Sequence, residues 1–412
     1  MVKRFALAAS LVLALAACQQ DEAFDRSARH LTPIPPSTMA LMSQKGMSKN
    51  DPIVIRSYKK ESEMEVWKRG SDGRYALLKT FPICRWSGQL GPKVREGDRQ
   101  APEGFYTVTP GQMNPNSSYF LSFDTGFPNA YDRALGRSGA ALMVHGSCSS
   151  RGCFAMTDAA IAEIYAIARE SLAGGQRNFQ FQSYPFRMTA QNLAQHRYDP
   201  NMPFWQNLKE GSDYFEVARQ EPKVAVCGRR YVFGGADVAQ GNCSPALDPA
   251  VAQKRAQDEQ QVAELVSHGV PPVKLVYNDG GGHESFRRAI AAATTSEDGS
   301  LVVDARTRRL GDVSRPEALA ASPQEIVLDA SGKPGDGVAY ASASAGASLT
   351  SPQPIAQQPA QTESKPFYQR LFLGSASGTS AETAPAATPR PIPSKVQDRR
   401  AQAGSGGSFS AN

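Results

Sequence analysis

One histidine and two cysteines fall within nine positions of the stretch MVHGSCSSRGCFAMTD, residues 143–158, in a chain with five histidines and six cysteines among 412 residues. A cysteine nucleophile needs a base to take its proton and amide donors for the oxyanion formed on attack. His145 closes the apolar run ALMV, a predicted strand end that would hold an imidazole rigidly. Cys153 follows Gly152, which lets backbone approach a ligand closely. A helix is predicted to begin a few residues later, so the amides of GCFAMT would lie near its N-terminus, a setting that lowers a thiol pKa and offers oxyanion donors. Cys148 sits among serines without such a setting. Residue types and spacing alone also allow a packed strand histidine and two structural cysteines. A zinc site is disfavoured, because His145, Cys148 and Cys153 include no Cys-x-x-Cys pair and no second nearby histidine.

The compartment follows from the N-terminus. MVKR is basic, and residues 5–17, FALAASLVLALAA, form an apolar run too short to span a membrane, so residues 1–17 read as a secretory signal peptide. The run ends Leu15-Ala16-Ala17-Cys18, which resembles the bacterial lipobox and predicts lipidation of Cys18. Gln19 in place of Asp points to the periplasmic face of the outer membrane of a Gram-negative bacterium, with a soluble periplasmic protein as the alternative. Disulfides persist in that compartment. Setting Cys18 aside leaves Cys84, Cys148, Cys153, Cys227 and Cys243, an odd number that suggests one reactive thiol. The other four allow three pairings. A net charge of +6, with no dense basic block interleaved with aromatics, argues against nucleic acid as a partner. The mild positive bias suits an anionic wall polymer.

These residues need elements to position them. Residues 18–50, with TPIPPS, read as a tether of a lipid-anchored protein. Residues 51–220 read as one β-rich α+β domain. PIVIRSYKK, EMEVWKRG, RYALLKTFPICRWSG, GFYTVTP, SSYFLSFDTGFP and ALMVHG look like strands, and RGSDGRY marks a hairpin. A helix is predicted over 158–173, capped by Thr157 or Asp158, with Ile161, Ile164, Tyr165, Ala168 and Leu172 on one face and Gly174-Gly175 as its stop. Residues 221–294 read as an accessory segment with a loop between Cys227 and Cys243 and a helix in PAVAQKRAQDEQQVAELVSHG. Residues 295–412 read as a low-complexity, disordered tail, interrupted by the aromatic island KPFYQRLFLG at 365–374. NDGGGHES lacks the context of a phosphate loop. Trp67, Trp86 and Trp205 read as core or rim aromatics rather than a sugar platform, and the remaining histidines, His30, His196, His268 and His283, are expected to carry no chemistry.

HGSCSSRGCFAM resembles the active-site signature of the L,D-transpeptidase catalytic domain (YkuD) family, in which His-Gly is followed by Ser/Thr-x-Gly-Cys. The stretch from PICRWSG through GDRQAPEGFYTVTP to ALMVHG is similar to the YafK-like murein subgroup, and the likeness spans roughly residues 51–220. The resemblance implies a sandwich-like β-rich fold with a few helices and no cofactor or metal. It implies Cys153 as nucleophile, His145 as its base, the Gly152 and Cys153 amides in the oxyanion hole, and Ser150 as the residue that orients the loop. Two features depart from the family: the His-to-Cys separation is short, and Ala155 stands where an arginine usually lies near substrate. Arg151 or Arg137 would supply that charge instead. The implied reaction is attack on a peptidoglycan stem at a diaminopimelate carbonyl, with the thioester resolved by an amine or by water. The second outcome would release a wall-linked outer-membrane lipoprotein. A non-catalytic peptidoglycan clamp is the alternative, against which the presence of both His145 and Cys153 argues. With Cys153 as nucleophile and Cys227 paired with Cys243, Cys148 is left to Cys84, a bridge that would pin the short loop.

Overall fold

Runs of alternating apolar and polar residues between Ile53 and Tyr184 build two five-stranded sheets. The computed structural model describes residues 28–234, 243–244, 247–292 and 313–335. The first sheet begins with β1 (Ile53–Tyr58), β2 (Glu63–Arg69) and β3 (Tyr75–Pro82), successive antiparallel neighbours. The Gly70–Arg74 turn joins the last two, through Gly70 N to Arg74 O at 2.9 Å. The second sheet takes β4 (Arg85–Trp86), β6 (Met113–Asn114), β7 (Ser122–Asp124), β8 (Met143–His145) and β9 (Phe154–Ala155), in the order β4-β9-β8-β7-β6. β5 (Gly104–Val108) and β10 (Phe179–Tyr184) complete the first, in the order β3-β2-β1-β10-β5, with β1 and β10 parallel.

The sheets meet face to face through aromatic side chains. Phe123 and Phe154 of the second sheet lie 5.6 and 5.7 Å, ring to ring, from Phe179 and Phe181 of the first. Edge-to-face pairs of this kind add to the area they bury. Helices fill the flanks: α1 (Pro36–Gln44), α2 (Ala130–Ala134), α3 (Asp158–Ala173), α4 (Ala190–Gln195) and α5 (Met202–Ala218). The Thr157 hydroxyl caps α3 by accepting from Ala160 N, and Ile161, Ile164 and Ile167 enter the common core. α5 covers the far face of the first sheet, where Phe215 packs with Val54, Trp67 and Tyr75. Trp67, Trp86 and Trp205 are all buried.

The C-terminal elements follow: the hairpin β11 (Lys223–Cys227) and β12 (Arg230–Gly234), α6 (Pro249–Ser267), β13 (Val273–Val276), α7 (Glu284–Ala291), α8 (Pro316–Ala320) and β14 (Gln324–Val327), which pairs with β13. Cys227 is joined to Cys243, with Cα atoms 5.7 Å apart.

Two expectations need correction. The tether predicted over 18–50 is folded where the structure describes it, because Ile34, Met42 and Met47 bury their side chains in the main core and Arg169 holds the backbone at Thr32 O, 3.1 Å away. The disordered tail predicted from 295 contains folded residues at 313–335, because Leu319 and Leu328 find apolar cover and β13 offers a free edge. The rest of that tail, the island at 365–374, the predicted signal peptide and Cys18 lie outside the described residues.

Candidate active site

β8 and β9 pair in parallel, Val144 with Phe154 and His145 with Ala155, across the eight residues 146–153. A parallel connection usually takes a dozen or more residues; strands of three and two residues shorten this one. Side chains alternate across a strand, so Val144 and Phe154 point into the inter-sheet core and His145 and Ala155 to the opposite face. The same alternation puts Met143 and Cys153 on that outer face, and Met143 N donates to Cys153 Sγ at 3.4 Å. His145 and Cys153 are therefore diagonal neighbours on adjacent strands, about 8 Å apart between Cα atoms for ordinary strand spacings.

Each group is held by backbone. His145 is buried, with Tyr119 tilted over its ring at 4.7 Å. Its Nδ1 lies 2.5 Å from Gly146 O. A carbonyl only accepts, so Nδ1 carries the proton and Nε2 keeps its lone pair. Gly146 has no room for a side chain: a Cβ there would lie 2.6 Å from Asp158 Oδ1 and 2.9 Å from Tyr119 O. Burial pushes the His145 pKa below that of a free imidazole, against the pull of the Gly146 carbonyl. Cys153 is partly buried, and among the described residues it alone is a cysteine outside a disulfide. Its thiol donates to Ala141 O at 3.8 Å.

The thiol pKa corrects an expectation. Burial pushes it up, Met143 N pulls it down, and Asp124 (upward) and Lys93 (downward) act less strongly. The start of α3 at Asp158 therefore does not produce a low-pKa cysteine, because desolvation outweighs the amide's help. Burial thus favours the neutral form of both thiol and imidazole.

The amides expected as oxyanion donors already have a partner in this loop. Ser150 Oγ accepts from Cys153 N at 3.1 Å, Gly152 N at 3.3 Å and Ser87 Oγ at 2.8 Å, and donates to Cys153 O at 2.8 Å. Ser150 thus knots the loop, and the two amides expected to face an oxyanion are turned toward its hydroxyl. Gly152 has φ of +129°, a conformation that favours glycine.

Cys84 is joined to Cys148, with Cα atoms 5.4 Å apart and both residues fully buried. The bridge forms an apolar cluster with Ile290 and Leu319 from α7 and α8. Cys84 N also donates to Ala155 O at 2.9 Å, which ties it to the strand beyond Cys153. The glycines of NDGGGHES explain how this cover sits so close. Gly281 pairs with Trp86 at the β4 edge, and a Cβ on Gly280 or Gly282 would run into Trp86 O or Cys84 O.

Of the arginines expected to meet substrate, Arg137 is committed to the fold. It pairs with Asp132 at 2.9 Å and stacks on Tyr131 and Phe204. Arg151 is exposed. Sequence reasoning missed Arg85, which stands beside Ala155 across β4 and β9 and pairs with Asp279 at 3.0 Å. It also missed Tyr119, Ser314 and Arg315; the last two lie in a stretch whose composition carries no signal of structure.

The family model of the L,D-transpeptidase catalytic domain (YkuD) matches residues 52–173. The Escherichia coli K12 protein named "Putative L,D-transpeptidase YafK" is 45% identical over 181 residues, which cover 44% of this chain and 73% of that protein. Its counterpart in Escherichia coli O157:H7 matches equally. Among solved structures, the helical cell shape determining protein Pgp2 from Campylobacter jejuni is 15% identical, with a TM-score of 0.27 over 58% of this chain and 80% of that chain.

Proposed function

Since the chain belongs to the L,D-transpeptidase catalytic domain (YkuD) family, we propose that Cys153 forms a thioester with a peptidoglycan stem peptide at a diaminopimelate carbonyl. Nε2 of His145 takes the thiol proton as sulfur attacks the carbonyl carbon. The tetrahedral intermediate collapses, the C–N bond breaks, and the leaving amine receives the proton from the imidazolium. An acceptor amine then completes L,D-transpeptidation, or water completes an amidase reaction that frees a wall-linked lipoprotein.

The observation that carries this reading is the shared outer face of β8 and β9. It makes Cys153 and His145 diagonal neighbours, and an Nδ1 proton given to Gly146 O would leave the Nε2 lone pair to act as a base. Ser150 orients the loop between them, and release of the Gly152 and Cys153 amides from its hydroxyl would give the oxyanion its donors. With Cys18 lipidated, the protein would work from the periplasmic face of the outer membrane. Among the described residues no helix is long and apolar enough to cross a membrane.

The test is incubation of the purified protein with muropeptides and, separately, with a diaminopimelate-linked lysine peptide, read by product masses. Cross-linked or exchanged muropeptides indicate transfer, and free lysine peptide indicates hydrolysis. If neither substrate changes while Cys153 is intact and reduced, the proposal is wrong.

A further inference from the structure

Asp279 is the shared partner of three arginines from three separate parts of the chain. Arg85 of β4 reaches it at 3.0 Å, Arg99 from the segment before β5 at 2.6 Å, and Arg315 at the start of α8 at 3.1 Å. Asp279 and Arg85 are buried, whereas Arg99 and Arg315 are 36% and 53% exposed. Exposed Glu317 approaches Arg315 only at 3.9 Å. Even with Glu317 counted, the cluster keeps a positive charge in excess, and two of its planar guanidiniums face solvent. Burial pushes the Asp279 carboxyl up, but Arg99, then Arg85 and Arg315, hold it below the usual carboxylate range. Asp279 therefore stays ionised and orients all three.

The cluster lies against the nucleophile loop. The backbone of Arg99 and Gln100 flanks Gly152, where a Cβ would lie 3.7 Å from Arg99 C and 3.5 Å from Gln100 O. Ser150 N in turn donates to the hydroxyl of Ser314, the residue before Arg315, at 3.2 Å. The segments that carry the two exposed arginines thus both touch residues 150–152, immediately before Cys153, and their guanidiniums converge on Asp279 Oδ2. Arg85 stands next to Ala155, two residues beyond it. Ion pairs fixed on a buried carboxylate make a preorganised fork, and guanidiniums match carboxylates in bidentate geometry.

We propose that Arg99 and Arg315, braced by Asp279, form a subsite for a free carboxylate of the stem peptide, so that residues 313–320 complete the substrate site of the catalytic domain. The proposal rests on the peptidoglycan reading above. Two carboxylates of a stem peptide could occupy it, that of the diaminopimelate residue and that of the glutamate before it.

Binding is measured by calorimetry on the full chain carrying Cys153→Ala, so that affinity is read apart from turnover. The probes are a muropeptide with both carboxylates free, one amidated at diaminopimelate and one amidated at glutamate. The free form should bind about tenfold tighter than one of the amidated forms, as expected for a charge-assisted hydrogen bond. The form that loses affinity identifies the carboxylate. Adding Arg99→Gln or Arg315→Gln should abolish that difference. Equal affinity for all three probes, or a difference that survives both substitutions, overturns the subsite. Discrimination without turnover by the unsubstituted chain would overturn the proposed reaction and leave the subsite standing. Absence of binding to any probe overturns both.

Discussion

Nδ1 of His145 lies 2.5 Å from the carbonyl oxygen of Gly146, so the imidazole takes its tautomer from the next peptide unit in the chain. This partner orients the ring but brings no full negative charge to stabilise an imidazolium. Burial accordingly leaves the His145 pKa below the free value. Under the proposed mechanism, catalysis would start from neutral groups and move the proton during attack.

Gly146→Ala tests that arrangement. The new Cβ would meet Asp158 Oδ1, Phe120 Cβ at 2.8 Å and the Tyr119 carbonyl, and a backbone carbonyl has little freedom to move. Overpacking of this kind costs about 1–3 kcal/mol. A lower denaturation midpoint should accompany a loss of turnover, since the peptide that orients His145 is displaced.

Cys153 alkylation reports the thiol pKa. Burial raises it above the ordinary thiol value of 9.0, so the thiolate fraction at pH 7 is smaller than for a free cysteine. The iodoacetamide rate should climb steadily between pH 7 and pH 9, about tenfold per unit, with no plateau near neutrality. A plateau below pH 8 would mean that the thiol is activated by charge rather than held neutral by burial.

Replacing Cys84 and Cys148 together by alanine removes a bridge spanning 64 residues. Loop-closure entropy gives about 4 kcal/mol for a loop of that size. The double variant should melt well below the parent and lose activity, because the bridge pins the loop between His145 and Cys153. Mass mapping of non-reduced peptides should recover Cys84 linked to Cys148; a Cys148–Cys153 peptide would contradict the structure.

His196 gives the fold an acid-side weakness. It is buried, its Nδ1 lies 3.2 Å from Val273 O, and burial with nearby Lys60 pushes its pKa from 6.5 down to about 4. The native state refuses a proton that the unfolded state accepts. The penalty is absent above pH 6.5, grows as pH falls toward 4 and is constant below that, reaching about 3 kcal/mol. His196→Phe, which keeps the stack on Phe186, should be less stable than the parent at pH 7. Denaturant midpoints should show that gap shrinking at pH 5.

Much of the fold was legible in the chain because its signals are local. RGSDGRY turns β2 into β3, and Thr157 with the Ile161 face builds α3. The odd number of cysteines left one thiol over, and the signature around Cys153 identified the family. What stayed hidden depends on partners far away in sequence. α5 conceals its periodicity because Lys209 and Asp213 are buried as a pair at 2.7 Å and Gly211 lies flush on Phe105. Arg315 gains meaning only when Asp279 is in place. The raised thiol pKa follows from burial, which motif spacing does not report.

The central claim is a thioester on Cys153, and acid-quenched peptide mapping after mixing with a muropeptide tests it most directly. The account predicts a base-labile mass addition equal to the acyl part of the stem peptide, confined to the peptide carrying Cys153. It should be absent in Cys153→Ala and slower to form in His145→Ala. Product formation without any adduct on Cys153, or with Cys153 replaced, would contradict it.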